Sequence, residues 1–148
     1  MNNDVKSGKK FTIGVMLLTL LLITSCQSKV SPVSKDTQQL ILNMRNSDVQ
    51  WDGTFIGLLP NFQGPTLALQ KIDEPIEPLL VAALLDEERY VAAHVLLTDR
   101  TNGSWTDTAE YWNGLRVHLY ADGSVSYEGN DRNELHQYWI KKLADAKE

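Results

Sequence analysis

Cysteine occurs once in these 148 residues, at Cys26, so no intramolecular disulfide framework can hold the fold and its stability must come from a core. Positive charge is also scarce: 14 Lys and Arg stand against 19 Asp and Glu, a net charge of -5. Such a chain lacks the basic field that draws proteins to phosphates, and nucleic acid is not an expected partner. Histidine appears three times, at His94, His118 and His136, with no H-x-x-x-H pair and no second thiol, so no metal-ligand spacing is present and no cofactor is expected. Gly-Ser occurs at Ser104 and Ser124, but neither serine lies in a G-x-S-x-G elbow. A long apolar run is missing as well. The most apolar stretch, residues 11–23, is shorter than the roughly 20 residues that a membrane-crossing helix needs.

What is present begins at the front of the chain. The opening MNNDVKSGKK carries Lys6, Lys9 and Lys10, and it precedes the apolar FTIGVMLLTLLLI. The small residues Thr24 and Ser25 then lead into Cys26. A basic start, an apolar segment within the roughly 7–15 residues of a secretory h-region and small residues at its end predict a signal peptide over residues 1–25. The next stretch, QSKVSPVSK, is polar and small, and Pro32 pushes Ser31 toward extended backbone, which predicts a tether over residues 26–35. Residues 36–148 are enough for one cored domain and too few to expect two.

The order Ile23-Thr24-Ser25-Cys26 resembles the bacterial lipobox, an aliphatic residue and two small ones before cysteine. That resemblance implies a diacylglycerol on the sulfur of Cys26, cleavage before Cys26 and usually acylation, for example with palmitate, of the new amino terminus. Several acyl chains make a stable anchor, because each buried methylene contributes about 0.8 kcal/mol and one chain holds only marginally. The mature chain would then be an exported lipoprotein of the cell envelope, partnered with the membrane through its lipid. Gln27 is not the aspartate that holds enterobacterial lipoproteins at the inner membrane, which favours the outer membrane where one exists.

In the mature chain Leu40, Ile41 and Met44 form one apolar stripe, predicting a helix of about three turns. Residues 51–65, with three glycines and two prolines, read as turns around an apolar stretch whose strand character is undecided. Pro75 and Pro78 break any long helix after that, and Pro78 suits the first turn of a new one. From Leu79 to Leu85 the chain is apolar nearly all round, which predicts burial on most sides. Asp86 is then expected to cap a second helix with Glu87 and Glu88 in its first turn. Pro78-Leu79-Leu80, Ala83-Leu84-Leu85-Asp86 and the segment from Val91 to Leu97 resemble one HEAT-type helical repeat. The arginine that such repeats often carry after the valine is Ala92 here, and no second copy follows at a period near 40. A single pair packed on the rest of the domain is the expectation, not a solenoid.

The segment NGLRVHLYADGSVSYEG alternates in polarity around Asp122-Gly123 and predicts a β-hairpin. A two-residue loop would place Leu119 and Val117 on the face of Ser126 and Glu128. A three-residue loop, residues 121–123, pairs Leu119 with Val125, Val117 with Tyr127 and Arg116 with Glu128, giving one apolar face and one opposite-charge pair. The second register is therefore expected, with a type I turn and Gly123 left-handed in a bulge. Asp131 and Glu134 have capping-box spacing, and Leu135, Tyr138, Trp139 and Leu143 follow at helical intervals with Lys141, Lys142 and Lys147 toward the end. The whole reads as a small single α+β domain: a HEAT-like helix pair, a β-hairpin and a C-terminal amphipathic helix.

No catalytic constellation emerges. Asp86, Glu87 and Glu88 are consecutive, so a helix would point them in different directions, whereas acid–base pairs need facing groups. His94 sits among apolar neighbours, where a buried imidazole must find a hydrogen-bond partner. Trp105, Asp107, Glu110 and Trp112 are the one cluster with the chemistry of a ligand or partner surface, since flat aromatics beside carboxylates suit sugars and proteins alike. Packing is the competing use of the tryptophans in so small a domain. The expected function is a membrane-anchored envelope lipoprotein with a non-enzymatic binding or scaffolding role toward an envelope protein. The alternative is an envelope glycan-binding module or hydrolase built on the Trp105 and Trp112 region.

Overall fold

The computed structural model describes residues 32–54, 57–101, 107–108, 111–128 and 131–146. The expected signal peptide and Cys26 lie outside them. The first helix, α1 (Lys35–Asn43), is opened by Ser34, whose hydroxyl accepts from Thr37 N at 3.2 Å. Of the predicted stripe, Ile41 and Met44 are buried and Leu40 packs partly against the same core. A single 3-10 turn, Asn46–Asp48, then turns the chain into β1 (Val49–Thr54), which pairs antiparallel with β2 (Gly57–Phe62) from Val49↔Phe62 to Thr54↔Gly57.

That first hairpin resolves the undecided stretch. Gln63 N donates to Asp48 O at 2.9 Å, which makes Asp48 and Gln63 a hydrogen-bonded pair. Bonded pairs alternate along an antiparallel ladder, so Gln50 and Asp52 also bond to β2 while Val49, Trp51 and Gly53 turn their main-chain groups away. Pro60 stands opposite Trp51, at a place where the ladder asks for no N–H. A proline that would forbid a central strand is tolerated here for that reason.

Two prolines start the next helices. Pro65 lies in the first turn of α2 (Gly64–Gln70) and Pro78 in the first turn of α3 (Glu77–Ala83), as their missing N–H and fixed φ favour. Residues 84–89 lead from α3 into α4 (Tyr90–Arg100), and the two helices pack on each other. The helix after Asp86 begins later than expected. Asp86 accepts from Glu88 N at 2.9 Å and from the Arg89 guanidinium at 2.6 Å, which forms a closed turn, and its carbonyl receives Tyr90 N at 3.0 Å. Glu87 and Glu88 therefore sit in the connection and not in the first turn of α4. Burial around residues 79–85 is also less complete than predicted: Leu80, Val81, Ala83 and Leu84 are buried, but Leu85 is half exposed.

Every residue from Tyr90 to Thr98 is buried, so α4 is the central helix. A second sheet covers it in the order β3 (Asp107–Thr108), β4 (Tyr111–Trp112), β5 (Leu115–Leu119) and β6 (Val125–Tyr127), all antiparallel. Asn113 and Gly114 join β4 to β5 with φ of 53° and 97°, the two left-handed residues of a type I′ turn. The β5–β6 register is the one argued from the faces: Leu119↔Val125 and Val117↔Tyr127, with an Arg116–Glu128 ion pair. Gly123 has φ of 81°, and its N–H returns to Tyr120 O at 2.9 Å.

The chain closes with α5 (Asp131–Asp145). Leu135 and Trp139 are buried and Leu143 packs partly against the core, whereas Tyr138 is exposed and is met by the Lys142 ammonium 5.5 Å from its ring. Mixed helices and small antiparallel sheets make this an α+β fold.

Candidate functional site

Of the four residues expected to form a ligand surface, only Asp107 and Trp112 are among the described residues. Trp112 is fully buried, with its ring 5.5 Å from that of Trp51 and 5.6 Å from that of His94, so it packs the core and offers no face to a ligand. Asn113 donates from its side chain to Thr98 Oγ1 at 3.3 Å, which holds this turn on the central helix and turns the Trp112 ring toward His94, so the surface expectation fails for this residue. Asp107 opens β3, and Trp105 and Glu110 lie outside the described residues.

His94 does find its partner. The Trp139 indole N–H donates to His94 Nδ1 at 2.9 Å, joining the central helix to α5 across 45 positions of sequence. This bond fixes the neutral tautomer with the proton on Nε2. Nε2 is buried and makes no hydrogen bond of ordinary geometry, although the backbone of Trp112 and Asn113 lies close enough to favour the protonated ring. Burial outweighs that help and pushes the imidazole down to about 4, and the nearby Lys142 charge adds to the effect. The neutral, enclosed imidazole links the central helix to α5. His118 is instead on the exposed side of β5, with Nε2 3.6 Å from Glu128. Among the described residues no group of three His, Cys, Asp or Glu converges to hold a metal ion.

Two ties organise the helices around this centre. Arg100 bonds at once to Glu77 Oε1 (2.9 Å), Ile72 O (2.6 Å) and Glu74 O (2.8 Å), which fastens the end of α4 to the connection before α3. The Glu74 carboxylate accepts from Ser34 N at 2.7 Å and from the Thr37 hydroxyl at 3.0 Å. These donors hold its pKa below the usual carboxylate range.

Two concavities lined by described residues stand out. An apolar groove of about 270 Å³ runs between α1 and α3, with Ile41, Leu42, Leu79 and Ala82 among its walls and Arg89 at one side. A more polar cleft of about 480 Å³ lies between the first hairpin and the second sheet. Its walls include Ser47, Gln50, Trp51 and Asp52 on one side and Val125 and Tyr127 on the other. Trp51 Nε1–H donates to Tyr127 Oη at 2.9 Å, a bond that fixes the spacing of those two walls. Burial raises the Tyr127 pKa, so its hydroxyl stays protonated at neutral pH. Sequence reasoning passed over this cleft because its walls lie more than 70 positions apart. The local signal was the odd-numbered outward set in β1, which the glycines and Pro60 concealed.

No protein-family model, curated protein or solved structure matches the chain.

Proposed function

We propose that the chain is an exported lipoprotein, anchored in the cell envelope through Cys26, whose domain works by binding an envelope partner and not by catalysis. The observation that carries the reading is the run of lysines, a short apolar segment and Ile23-Thr24-Ser25-Cys26 in that order. The HEAT-like resemblance of α3 and α4 supports a role in presenting a surface. Among the described residues no helix is long and apolar enough to cross a membrane.

The reading is tested by metabolic labelling with palmitate in wild type and Cys26→Ala. Label is expected on the wild type alone, and equal labelling of both would overturn the anchor. The glycan-binding or hydrolase alternative relied on Trp105, Asp107, Glu110 and Trp112, and it has lost Trp112 to the core.

A further inference from the structure

The polar cleft is bounded by two open strand edges. In β1 the bonded pairs are those of Asp48, Gln50 and Asp52, and the Val49 N–H donates to Asn46 O, so the Val49 carbonyl and both main-chain groups of Trp51 are the ones directed outward from β2. In the second hairpin Tyr120 N donates to Ser124 O at 2.9 Å, which makes that pair and the His118↔Ser126 pair the bonded ones. Val125 and Tyr127 therefore turn their main-chain groups away from β5. Val49, Trp51, Val125 and Tyr127 all line the same cleft. Among the described residues β1 pairs only with β2 and β6 only with β5.

We propose that this cleft takes an extended polypeptide segment of a partner protein, which lies as an added strand between β1 and β6. The inference rests on the binding half of the proposed function and names its partner class. An extended peptide rises about 3.3 Å per residue and alternates its own donors and acceptors at the period that the two edges present. Strand edges are usually guarded by proline or lysine, because an unguarded edge invites pairing. The edge of β2 carries Pro60, whereas the cleft between β1 and β6 is lined by neither residue type. The rim is kept open by Gly123, around whose added Cβ nothing lies within 4 Å. The Trp51–Tyr127 bond sets the gap before any peptide arrives, which reduces the ordering cost of binding.

The test uses the full lipidated chain in detergent micelles, panned against a phage-displayed library of random linear peptides. Enriched sequences are synthesised and titrated into isotope-labelled protein, with amide hydrogen exchange followed by NMR. Peptides are expected to slow exchange at Trp51, Val125 and Tyr127. N-methylation at alternate peptide residues should weaken binding roughly tenfold, while methylation at the intervening ones matters less. Val125→Pro deletes one outward N–H without touching the β5 ladder and should weaken the same peptides several-fold, and the methylated peptides test the point on unaltered protein. Failure to enrich any peptide, indifference to N-methylation, or protection elsewhere on the domain overturns the proposal. So does protection of these amides by N-acetylglucosamine oligomers in place of peptides. Cys26→Ala is expected to bind the same peptides, so loss of palmitate labelling and loss of peptide binding are separate outcomes.

Discussion

Mild acid is expected to destabilise this domain through His94. In the fold its pKa is pushed down to about 4, first by complete burial, against the backbone of Trp112 and Asn113 and with the Lys142 charge. In the unfolded chain the same ring titrates near about 6.5. As pH falls below that value the unfolded state takes up a proton that the folded state refuses, so stability is full above about 6.5 and declines toward 4. The loss is about 2 kcal/mol at pH 5 and about 3 kcal/mol at pH 4. Glu74, Asp86 and Asp122 have lowered pKa values, and their contributions fade only below their ordinary values of 4.5 and 3.8. The interval from about 6.5 to about 5 thus reports on the histidine. Urea unfolding followed by tryptophan fluorescence at steps through that interval should show the decline in the wild type. His94→Gln keeps an acceptor for the Trp139 N–H and does not titrate, so its stability should be flat there, whatever its starting value. Parallel pH curves for the two proteins would refute the reasoning.

Substitutions at four further positions separate effects that look alike in sequence. Gly114 and Gly123 both have positive φ, but a Cβ at Gly114 would meet Leu135 Cδ2 at 3.3 Å and one at Gly123 would meet nothing. Gly123→Ala should cost about 1–2 kcal/mol from backbone strain alone, and Gly114→Ala more, read from urea midpoints. Arg100→Ala leaves the carbonyls of Ile72 and Glu74 without their donor, at about 1–3 kcal/mol each, and Arg100→Lys should restore only part of the melting temperature because one ammonium cannot reproduce the planar fork. Arg116→Ala should change stability by less than about 1 kcal/mol, since both it and Glu128 are largely exposed, and a larger loss in thermal unfolding would mean that the pair fixes the register.

The second hairpin was legible because strict alternation ties register to the choice of buried face. One residue of slip would have buried Ser126 in place of Val125. The first hairpin was hidden, because Pro60 and the glycines read as turn residues until the ladder shows that Pro60 faces away from its partner. Asn113-Gly114 is as strong a turn signal as Asp122-Gly123, but the strand before it has two residues, too few to show any period. Asp86 was read as the cap of the second helix, whereas its side-chain bonds to Glu88 N and Arg89 close a turn ahead of the later start of α4. The Trp139–His94 bond and the cleft join residues 45 and more positions apart, and no local pattern carries such pairings.

Glu74 sets where a mechanical load enters the fold. Its carboxylate grips Ser34 and Thr37, at the point where the chain arrives at the domain, and its carbonyl is gripped by Arg100 at the end of the central helix. A load arriving at Ser34 therefore has a route through Glu74 to Arg100 and the end of the central helix, beside the covalent one through α1.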